Sequence, residues 1–211
     1  MNFSAAIFDL DGTLIDSNPI WKKLDEIILK RFGIFATNDF LDRLAAMTYE
    51  EAASAMQQIG ADITIDEFKD EINALAVHEY SNNIHLKNGV FDYLNYLRKS
   101  GIKISLATAS PPLLYEPVLK KNNVYDMFDA FTTTDEVGLN KSYPDIYITA
   151  ASKVNSPPNR CIAFEDVLNG VNSAKKTGMY VVGVYDESSS AEFDKIKSIA
   201  DKFIYSFNEM L

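Results

Sequence analysis

The feature that most constrains the fold is an alternation of short apolar runs and helical patterns, which occupies the chain from Gly89 onward. Short apolar runs between turn residues are typical of buried strands, and apolar residues at helical spacing are typical of helices packed on a core. Strands that alternate with helices favour right-handed crossovers and a mostly parallel sheet. With a further strand at 4–8, the sequence predicts an α/β fold. The predicted strands of this region are 102–107, 130–133, 161–164, 180–184 and 202–205, and the predicted helices are 90–99, 113–121, 145–154, 169–177 and 191–200.

Residues 17–84 interrupt this alternation, because they show helical patterns and no strand signal. Two capping boxes, beginning at Thr48 and Thr64, predict the starts of two helices, since the side chain and backbone of the first and fourth residues can bond reciprocally. The predicted helices of this block are 17–32, 39–47, 48–60 and 64–82. We therefore predict an α/β core domain formed by 1–16 and 85–211, with a small helical domain, 17–84, inserted after the first strand.

The composition limits the partners of the chain. A formal net charge of −10 argues against nucleic acid or an anionic membrane as a partner. The chain contains no run of the roughly 20 apolar residues that a membrane span needs. The single cysteine, Cys161, cannot form an internal disulfide, and the N-terminus shows no leader pattern, so we expect a cytoplasmic protein. A monomer and a homodimer are both compatible with the sequence.

Two aspartates separated by one residue, Asp9 and Asp11, follow the first predicted strand. Side chains alternate along a strand, so both carboxylates point the same way if the strand geometry continues. Such a pair is unfavourable unless a cation lies between the charges or one carboxylate is protonated. The pattern therefore indicates a magnesium site or a nucleophile beside an acid/base, and Gly12 permits the close backbone approach that a bound oxyanion needs. An ordinary Asp-Gly turn is the structural alternative.

Three further polar groups follow or adjoin predicted strands: Thr108, Lys141, and the pair Glu165 and Asp166. In parallel α/β sheets, ligands bind at the carboxyl ends of the strands, so these groups are candidates for one site. A hydroxyl at Thr108 with the backbone amides after it can hold a phosphoryl oxygen. Each group also has a simpler explanation: a turn residue at 108, a solvated lysine at 141 and a helix-capping acid pair at 165–166.

Taken together, the order Asp-x-Asp-Gly-Thr, Thr, Lys and Glu-Asp resembles the haloacid dehalogenase superfamily, and the resemblance extends over nearly the whole chain. It implies a Rossmann-like parallel sheet core with an inserted helical cap, as in the branch that contains β-phosphoglucomutase and phosphoglycolate phosphatase. One departure is the segment Asn-Lys-Ser-Tyr-Pro-Asp around Lys141, where many relatives carry Gly-Lys-Pro-x-Pro-Asp.

The resemblance also implies residue roles. Asp9 corresponds to the nucleophile that attacks phosphorus, and Asp11 to the general acid/base. Lys141 corresponds to the residue that neutralises the phosphoryl oxygens and orients the nucleophile. The implied Mg²⁺ ligands are Asp9, the main-chain carbonyl of Asp11 and Asp166, with Glu165 binding directly or through water. The expected substrate-binding residues are Gly12, Thr13, Tyr49, Thr108, Ala109 and Lys141.

The function that the resemblance implies is Mg²⁺-dependent hydrolysis of a small phosphorylated metabolite, such as a sugar phosphate, through an aspartyl-phosphate. A β-phosphoglucomutase-like mutase is the alternative, and three departures count against it. Thr13 stands where mutases commonly have an aliphatic residue, no histidine lies near Trp21, and Tyr49 stands where mutases have an arginine. A non-catalytic phosphate-binding protein on the same fold is a further alternative, although such a protein would not need Asp11.

Overall fold

The computed structural model describes residues 3–44 and 47–211, with only the backbone of residue 42. The chain divides into two compact units, one formed by Met1–Asp16 with Ile84–Leu211 and the other by Ser17–Asn83. The α-helices are α1 (Asn18–Arg31), α2 (Asn38–Leu44), α3 (Tyr49–Gln58), α4 (Ile65–Asn82), α5 (Val90–Lys99), α6 (Pro112–Lys121), α7 (Thr134–Val137), α8 (Asp145–Lys153), α9 (Leu168–Lys176) and α10 (Phe193–Ile199). The helices α1 to α4 belong to the second unit.

The first unit is built on a six-stranded sheet with parallel pairing between neighbouring strands. Its strands are β1 (Ala5–Phe8), β2 (Lys103–Thr108), β3 (Ala130–Thr133), β4 (Cys161–Glu165), β5 (Tyr180–Val184) and β6 (Lys202–Ile204). The spatial order is β3-β2-β1-β4-β5-β6. The chain therefore runs outward from β1 to β3 and then crosses back to β4, and ligands bind in open α/β sheets at such a reversal of strand order. The α/β fold predicted from the sequence is confirmed.

The central strands β1 and β4 are continuous apolar runs because helices cover both faces of a parallel sheet. All residues of both strands are buried. Phe8 pairs in register with Phe164, and their rings stack with centroids 4.6 Å apart. The pairing continues to Asp9, whose N–H donates to the Phe164 carbonyl at 3.1 Å. The polar residues that follow the two strands therefore emerge side by side.

The second unit consists of α1 to α4. Both predicted capping boxes are confirmed: Thr48 and Thr64 each accept from the backbone N–H three residues later, and the glutamate there accepts from the capping residue's N–H. Helix α2 begins one residue before its predicted start and ends at Leu44, while residues 45–46 of the predicted helix lie outside the described residues. Among the described residues, none of the helices combines the length and apolar character that crossing a membrane requires.

The loop after β1 is tied to the segment that precedes α5. Gly12 adopts φ +79°, which turns the chain sharply after Asp11. Ile15 then forms an isolated antiparallel bridge with Leu86, and the Lys87 N–H donates to the Leu14 carbonyl at 2.9 Å. The loop that carries the two aspartates is therefore fixed at its far end by backbone bonds to residues distant in sequence.

Candidate active site

Most of the polar residues singled out in the sequence lie at the carboxyl ends of β1, β2 and β4. Asp9 follows β1, Thr108 is the last residue of β2, and Glu165 is the last residue of β4, with Asp166 directly after it. Lys141, from the segment before α8, reaches the same place through its side chain. These side chains are buried or nearly so, and the three acidic ones, Asp9, Glu165 and Asp166, form one acidic group.

Lys141 joins two of the acidic residues. Its Nζ donates to Asp9 Oδ1 and, at 2.6 Å, to Glu165 Oε1. Burial alone would lower the pKa of the Lys141 ammonium, but the carboxylates of Asp9 and Glu165 outweigh that effect and keep its pKa above the ordinary value. Lys141 is therefore a permanent positive charge against one oxygen of Asp9.

Asp9 is the most central carboxylate. Burial raises the pKa of Asp9 to about 7, Lys141 opposes the rise, and the nearby charges of Glu165 and Asp11 add to it. A carboxylate in this position ionises fully near neutral pH only when further positive charge is supplied. The electrostatics of the site thus favour a bound cation beside Asp9.

Glu165 is held by groups that the sequence analysis did not single out. The Tyr147 hydroxyl of α8 donates to Glu165 Oε1 at 2.6 Å, and this is the oxygen that also accepts from Lys141. Gly170 of α9 packs against the same carboxyl group, and a Cβ there would lie 2.4 Å from its carbon. Glycine is therefore required at 170 for the Glu165 side chain to occupy its place.

The acidic group fits a hard divalent cation. One carboxylate oxygen from each of Asp9, Glu165 and Asp166 lies within 4.8 Å of the others. Within the described chain, Glu165 Oε2 and Asp166 Oδ2 are buried and have no hydrogen-bond partner. Burial, together with the charges of Asp9 and Glu165, raises the pKa of Asp166 well above its ordinary value. Unpaired, buried carboxylate oxygens are the ligand type that Mg²⁺ prefers.

Asp166 is oriented by the loop after β1. Its Oδ1 accepts a hydrogen bond of 2.9 Å from the Thr13 hydroxyl, and both side chains are buried. Gly12 makes the turn between Asp11 and Thr13, and its own N–H donates to the Ile15 carbonyl at 3.0 Å. The Gly12–Thr13 segment therefore links Asp166 to the aspartate loop.

The carboxylate of Asp11 lies outside the group formed by Asp9, Glu165 and Asp166. Its Oδ2 accepts a hydrogen bond of 2.6 Å from the Ser110 hydroxyl, and the Ser110 N–H donates to Thr108 Oγ1 at 2.9 Å. Strand β1 ends at Phe8, so the alternation that would point both aspartates the same way does not continue through Gly12. Asp11 is thus supported separately, by the loop after β2, in which Ala109 is exposed.

Tyr49, the candidate from the helical block, lines a cavity of about 240 Å³ within the second unit, together with Trp21, Asp25 and Phe68. Asp25 was not singled out in the sequence. It lies one helical turn after Trp21 on the apolar face of α1 and is buried. Burial raises the pKa of Asp25 to about 7. Burial of the Tyr49 phenol and the nearby charge of Asp25 raise the pKa of that phenol. The sequence signal that could have identified Asp25 is an acidic residue on the apolar face of a predicted helix.

Most of the chain is similar to proteins of one known family. Residues 6–184 match the family model described as "Haloacid dehalogenase-like hydrolase". Hexitol phosphatase B of Escherichia coli K12 is 28% identical, with 98% of this chain and 93% of the relative covered. A phosphorylated carbohydrates phosphatase of Thermotoga maritima is 26% identical, with 83% and 82% covered. The crystal structure of β-phosphoglucomutase from Clostridium difficile superposes with a TM-score of 0.74 at 23% identity, covering 99% of this chain and 93% of that one.

Proposed function

Because the chain belongs to the family of haloacid dehalogenase-like hydrolases, and its named relatives are phosphatases, we propose that it hydrolyses a sugar or sugar-alcohol phosphate with Mg²⁺, through an aspartyl-phosphate on Asp9. The enzyme class, a phosphoric monoester hydrolase, follows from the family and the relatives. The observation that best supports a Mg²⁺-dependent reaction through an aspartyl-phosphate is the contact of Asp9 with Lys141 beside Glu165 and Asp166.

In the first step, a carboxylate oxygen of Asp9 attacks phosphorus, forming an acyl-phosphate bond while the ester P–O bond breaks. Lys141 holds Asp9 Oδ1, which leaves the second oxygen of the carboxylate for the attack. The same ammonium offsets the negative charge of the phosphoryl oxygens. The Thr108 hydroxyl, buried at the end of β2, is proposed to donate to a phosphoryl oxygen, with the Ala109 backbone beside it.

Asp11 is the proposed general acid and base. It gives its proton to the leaving alkoxide, then accepts a proton from the water that attacks the acyl-phosphate and releases inorganic phosphate. The bond from Ser110 supports this role, because it fixes the Asp11 carboxyl group outside the cluster formed by Asp9, Glu165 and Asp166. Thr13 and Gly12 are proposed to hold the loop in which Asp11 lies.

Mg²⁺ would be held by Asp9 and Asp166, together with the main-chain carbonyl of Asp11, and Glu165 would bind it directly or through water. When bound, the ion supplies charge compensation for the phosphoryl group. The buried, unpaired oxygens of Asp166 and Glu165 support this assignment.

The substrate class is proposed from the relatives, which are named for hexitols and phosphorylated carbohydrates. The cavity that contains Tyr49, Trp21 and Asp25 offers aromatic rings and a hydrogen-bonding carboxyl group. We include Tyr49 among the substrate-selecting residues on that basis. A cytoplasmic monomer or homodimer completes the proposal, supported by the buried, free thiol of Cys161.

The two alternatives have less support. The likeness to a β-phosphoglucomutase structure, at 23% identity, concerns the fold and not the reaction. The two sequence relatives described above are named as phosphatases, and Tyr49 supplies no cation for a second phosphate. A non-catalytic phosphate-binding protein would have no use for Asp11 held in place by Ser110.

The test is release of inorganic phosphate from an aryl phosphate and from a panel of hexose and hexitol phosphates, with Mg²⁺ and with chelator. Asp9→Asn is expected to abolish turnover, while Asp92→Asn, an exposed carboxylate on α5, is the matched control. Labelling of Asp9 by beryllofluoride, detected by ¹⁹F NMR, tests the covalent intermediate. Full turnover by Asp9→Asn, or equal turnover in chelator, would contradict the proposal.

A further inference from the structure

Lys87, a residue outside the motifs considered so far, has its ammonium surrounded by oxygens. Its Nζ donates to the Gly12 carbonyl, to the Tyr185 carbonyl at 2.7 Å and to Asp186 Oδ2 at 2.7 Å. The Lys87 side chain is only 16% exposed, and that of Asp186 is 5% exposed. An ammonium has three donors and no acceptor, so this oxygen cage satisfies it completely.

The cage joins the aspartate loop to the end of β5. On one side, Gly12 lies between Asp11 and Thr13. Lys87 holds this loop a second time, because its own N–H donates to the Leu14 carbonyl at 2.9 Å. The loop is thus bonded to Lys87 at both the backbone and the side chain.

The opposite side of the cage is well anchored. The Tyr185 N–H donates to the Ile204 carbonyl at 2.8 Å, next to the pairing of β5 with β6. Asp186 Oδ1 accepts from the Ser188 N–H at 3.0 Å and from the Ser188 hydroxyl at 2.5 Å. The ammonium of Lys87 therefore links the Gly12 carbonyl to Tyr185 and Asp186, whose positions are fixed by these bonds.

Charge gives the cage a second effect on the site. Asp186 is a buried carboxylate, and the Lys87 ammonium compensates its negative charge at 2.7 Å. The acidic group already contains Asp9, Glu165 and Asp166. A buried carboxylate at 186 without its cation would add to the same negative field and would itself be poorly stabilised.

We propose that Lys87 is a positioning residue of the phosphoryl-transfer site, whose ammonium serves as a built-in monovalent cation locking the Gly12 carbonyl to Asp186. Through Gly12 it fixes the segment between Asp11 and Thr13, and through Thr13 the orientation of Asp166. The inference rests on the proposed phosphatase function. A lysine that only stabilised the fold would change the stability of the protein but not the Mg²⁺ affinity or kcat of the molecules that remain folded.

Two substitutions separate these roles. Lys87→Ala leaves a space lined by the cage oxygens, while Lys87→Met fills that space with an uncharged chain of similar length. We expect both to lower kcat on aryl phosphate and to weaken Mg²⁺ binding by about 10- to 100-fold, as for other residues that orient metal ligands. KM is expected to change by less than about threefold, because all three donors of the Lys87 ammonium already bind oxygens of the protein.

Ammonium or methylammonium chloride is expected to restore kcat and Mg²⁺ affinity in Lys87→Ala but not in Lys87→Met. Tetramethylammonium chloride at equal ionic strength is the salt control, because its cation has no N–H donor and is too large for the cage. Lys103→Ala is the matched variant, because Lys103 forms a comparable 2.8 Å ion pair with Asp129 at the opposite end of β2. It is expected to keep wild-type kcat and to gain nothing from amines.

Wild-type kcat in Lys87→Ala overturns the inference, and so does a folded but impaired Lys87→Ala that no amine improves. If Lys87→Ala does not fold, unchanged kcat and unchanged Mg²⁺ affinity in Lys87→Met overturn it instead. A wild-type protein without phosphatase activity would refute the proposed function alone. In that case Mg²⁺ affinity, measured by calorimetry with and without methylammonium, still decides the role of Lys87.

Discussion

The phenol of Tyr147 donates a 2.6 Å hydrogen bond to Oε1 of Glu165, and both side chains are fully buried. Since Lys141 binds the same oxygen, the rotamer of Glu165 is fixed by two donors from the α8 region. Burial and the neighbouring carboxylate raise the pKa of the Tyr147 phenol well above its ordinary value, so it remains a donor at every pH of interest.

Tyr147→Phe removes that donor with almost no change in shape. We expect kcat to fall about tenfold, equivalent to about 1.4 kcal/mol, because a hydrogen bond to a buried charged group is lost. Steady-state kinetics on aryl phosphate will measure this. Tyr143→Phe, at an exposed position of the preceding segment, is the control and is expected to behave as wild type. Equal kcat in both variants would show that Lys141 alone suffices to hold Glu165.

Ser110→Ala removes the donor that holds Asp11. A sugar alkoxide is a poor leaving group and would need a proton from Asp11, the proposed acid, whereas an aryl oxide with an electron-withdrawing substituent hardly does. We expect the rate of acyl-phosphate formation to fall about tenfold on a hexitol phosphate and much less on p-nitrophenyl phosphate, as single-turnover kinetics will measure. Asp11→Asn should show the same selectivity in this step more strongly, and it should also slow hydrolysis of the acyl-phosphate on both substrates, because the same residue is the proposed base. An equal loss in acyl-phosphate formation on both substrates would refute the positioning of Asp11 by Ser110, and Ser100→Ala, at the exposed end of α5, is the control.

Mg²⁺ is expected to raise the stability of the first unit by about 2.7 kcal/mol at a hundredfold excess over its Kd. Asp166→Asn should abolish this stabilisation, because a buried carboxylate ligand is lost. Thr13→Val should weaken Mg²⁺ binding by about 10- to 100-fold, since it removes the 2.9 Å bond that orients Asp166. Calorimetry and thermal unfolding with and without chelator give both quantities. Asp194→Asn, exposed on α10, should match wild type, and a retained Mg²⁺ shift in Asp166→Asn would exclude this ligand set.

Asp25 predicts a pH dependence in the second unit. Burial raises its pKa to about 7 from 3.8, so the folded unit binds this proton more tightly than the unfolded chain does. The contribution of Asp25 to the free energy of unfolding is therefore expected to be largest below about pH 4 and to be lost, by a few kcal/mol, as the pH rises through about 7. Asp25→Asn should remove most of this slope and be more stable than wild type at about pH 8.

Trp21 makes the measurement direct, because it is the single tryptophan of the chain and lines the same cavity. Urea unfolding followed by its fluorescence at several pH values will give the slope. Asp62→Asn, an exposed carboxylate of the same unit, should keep the wild-type slope. A slope unchanged in Asp25→Asn would assign the titration to another group.

Sequence reasoning succeeded where the signal was local. The strands near Phe8 and Phe164 are apolar runs typical of a covered parallel sheet, and the capping boxes at Thr48 and Thr64 are bonds between residues three apart. The polar residues after the strands could be proposed as one group because parallel strands share an edge.

The residues that sequence reasoning missed act across long chain separations. Lys87 meets Asp186, and Ser110 meets Asp11, in contacts that no periodic pattern encodes. Tyr147 is indistinguishable in sequence from a core position of α8, since its ring is buried like that of any apolar residue. The expected common direction of Asp9 and Asp11 depended on a strand that in fact ends before either of them.

The pairing of Ile15 with Leu86 also matters for how such enzymes diversify. The chain leaves the sheet unit at Asp16 and returns at Ile84, and the Asp16 N–H donates to the His85 carbonyl at 3.2 Å, so departure and return are neighbours. A segment inserted between two adjacent points can be lengthened, shortened or replaced without a change in the order or pairing of the strands. The inserted unit can therefore be exchanged while the backbone around Asp9 keeps its place in the sheet unit.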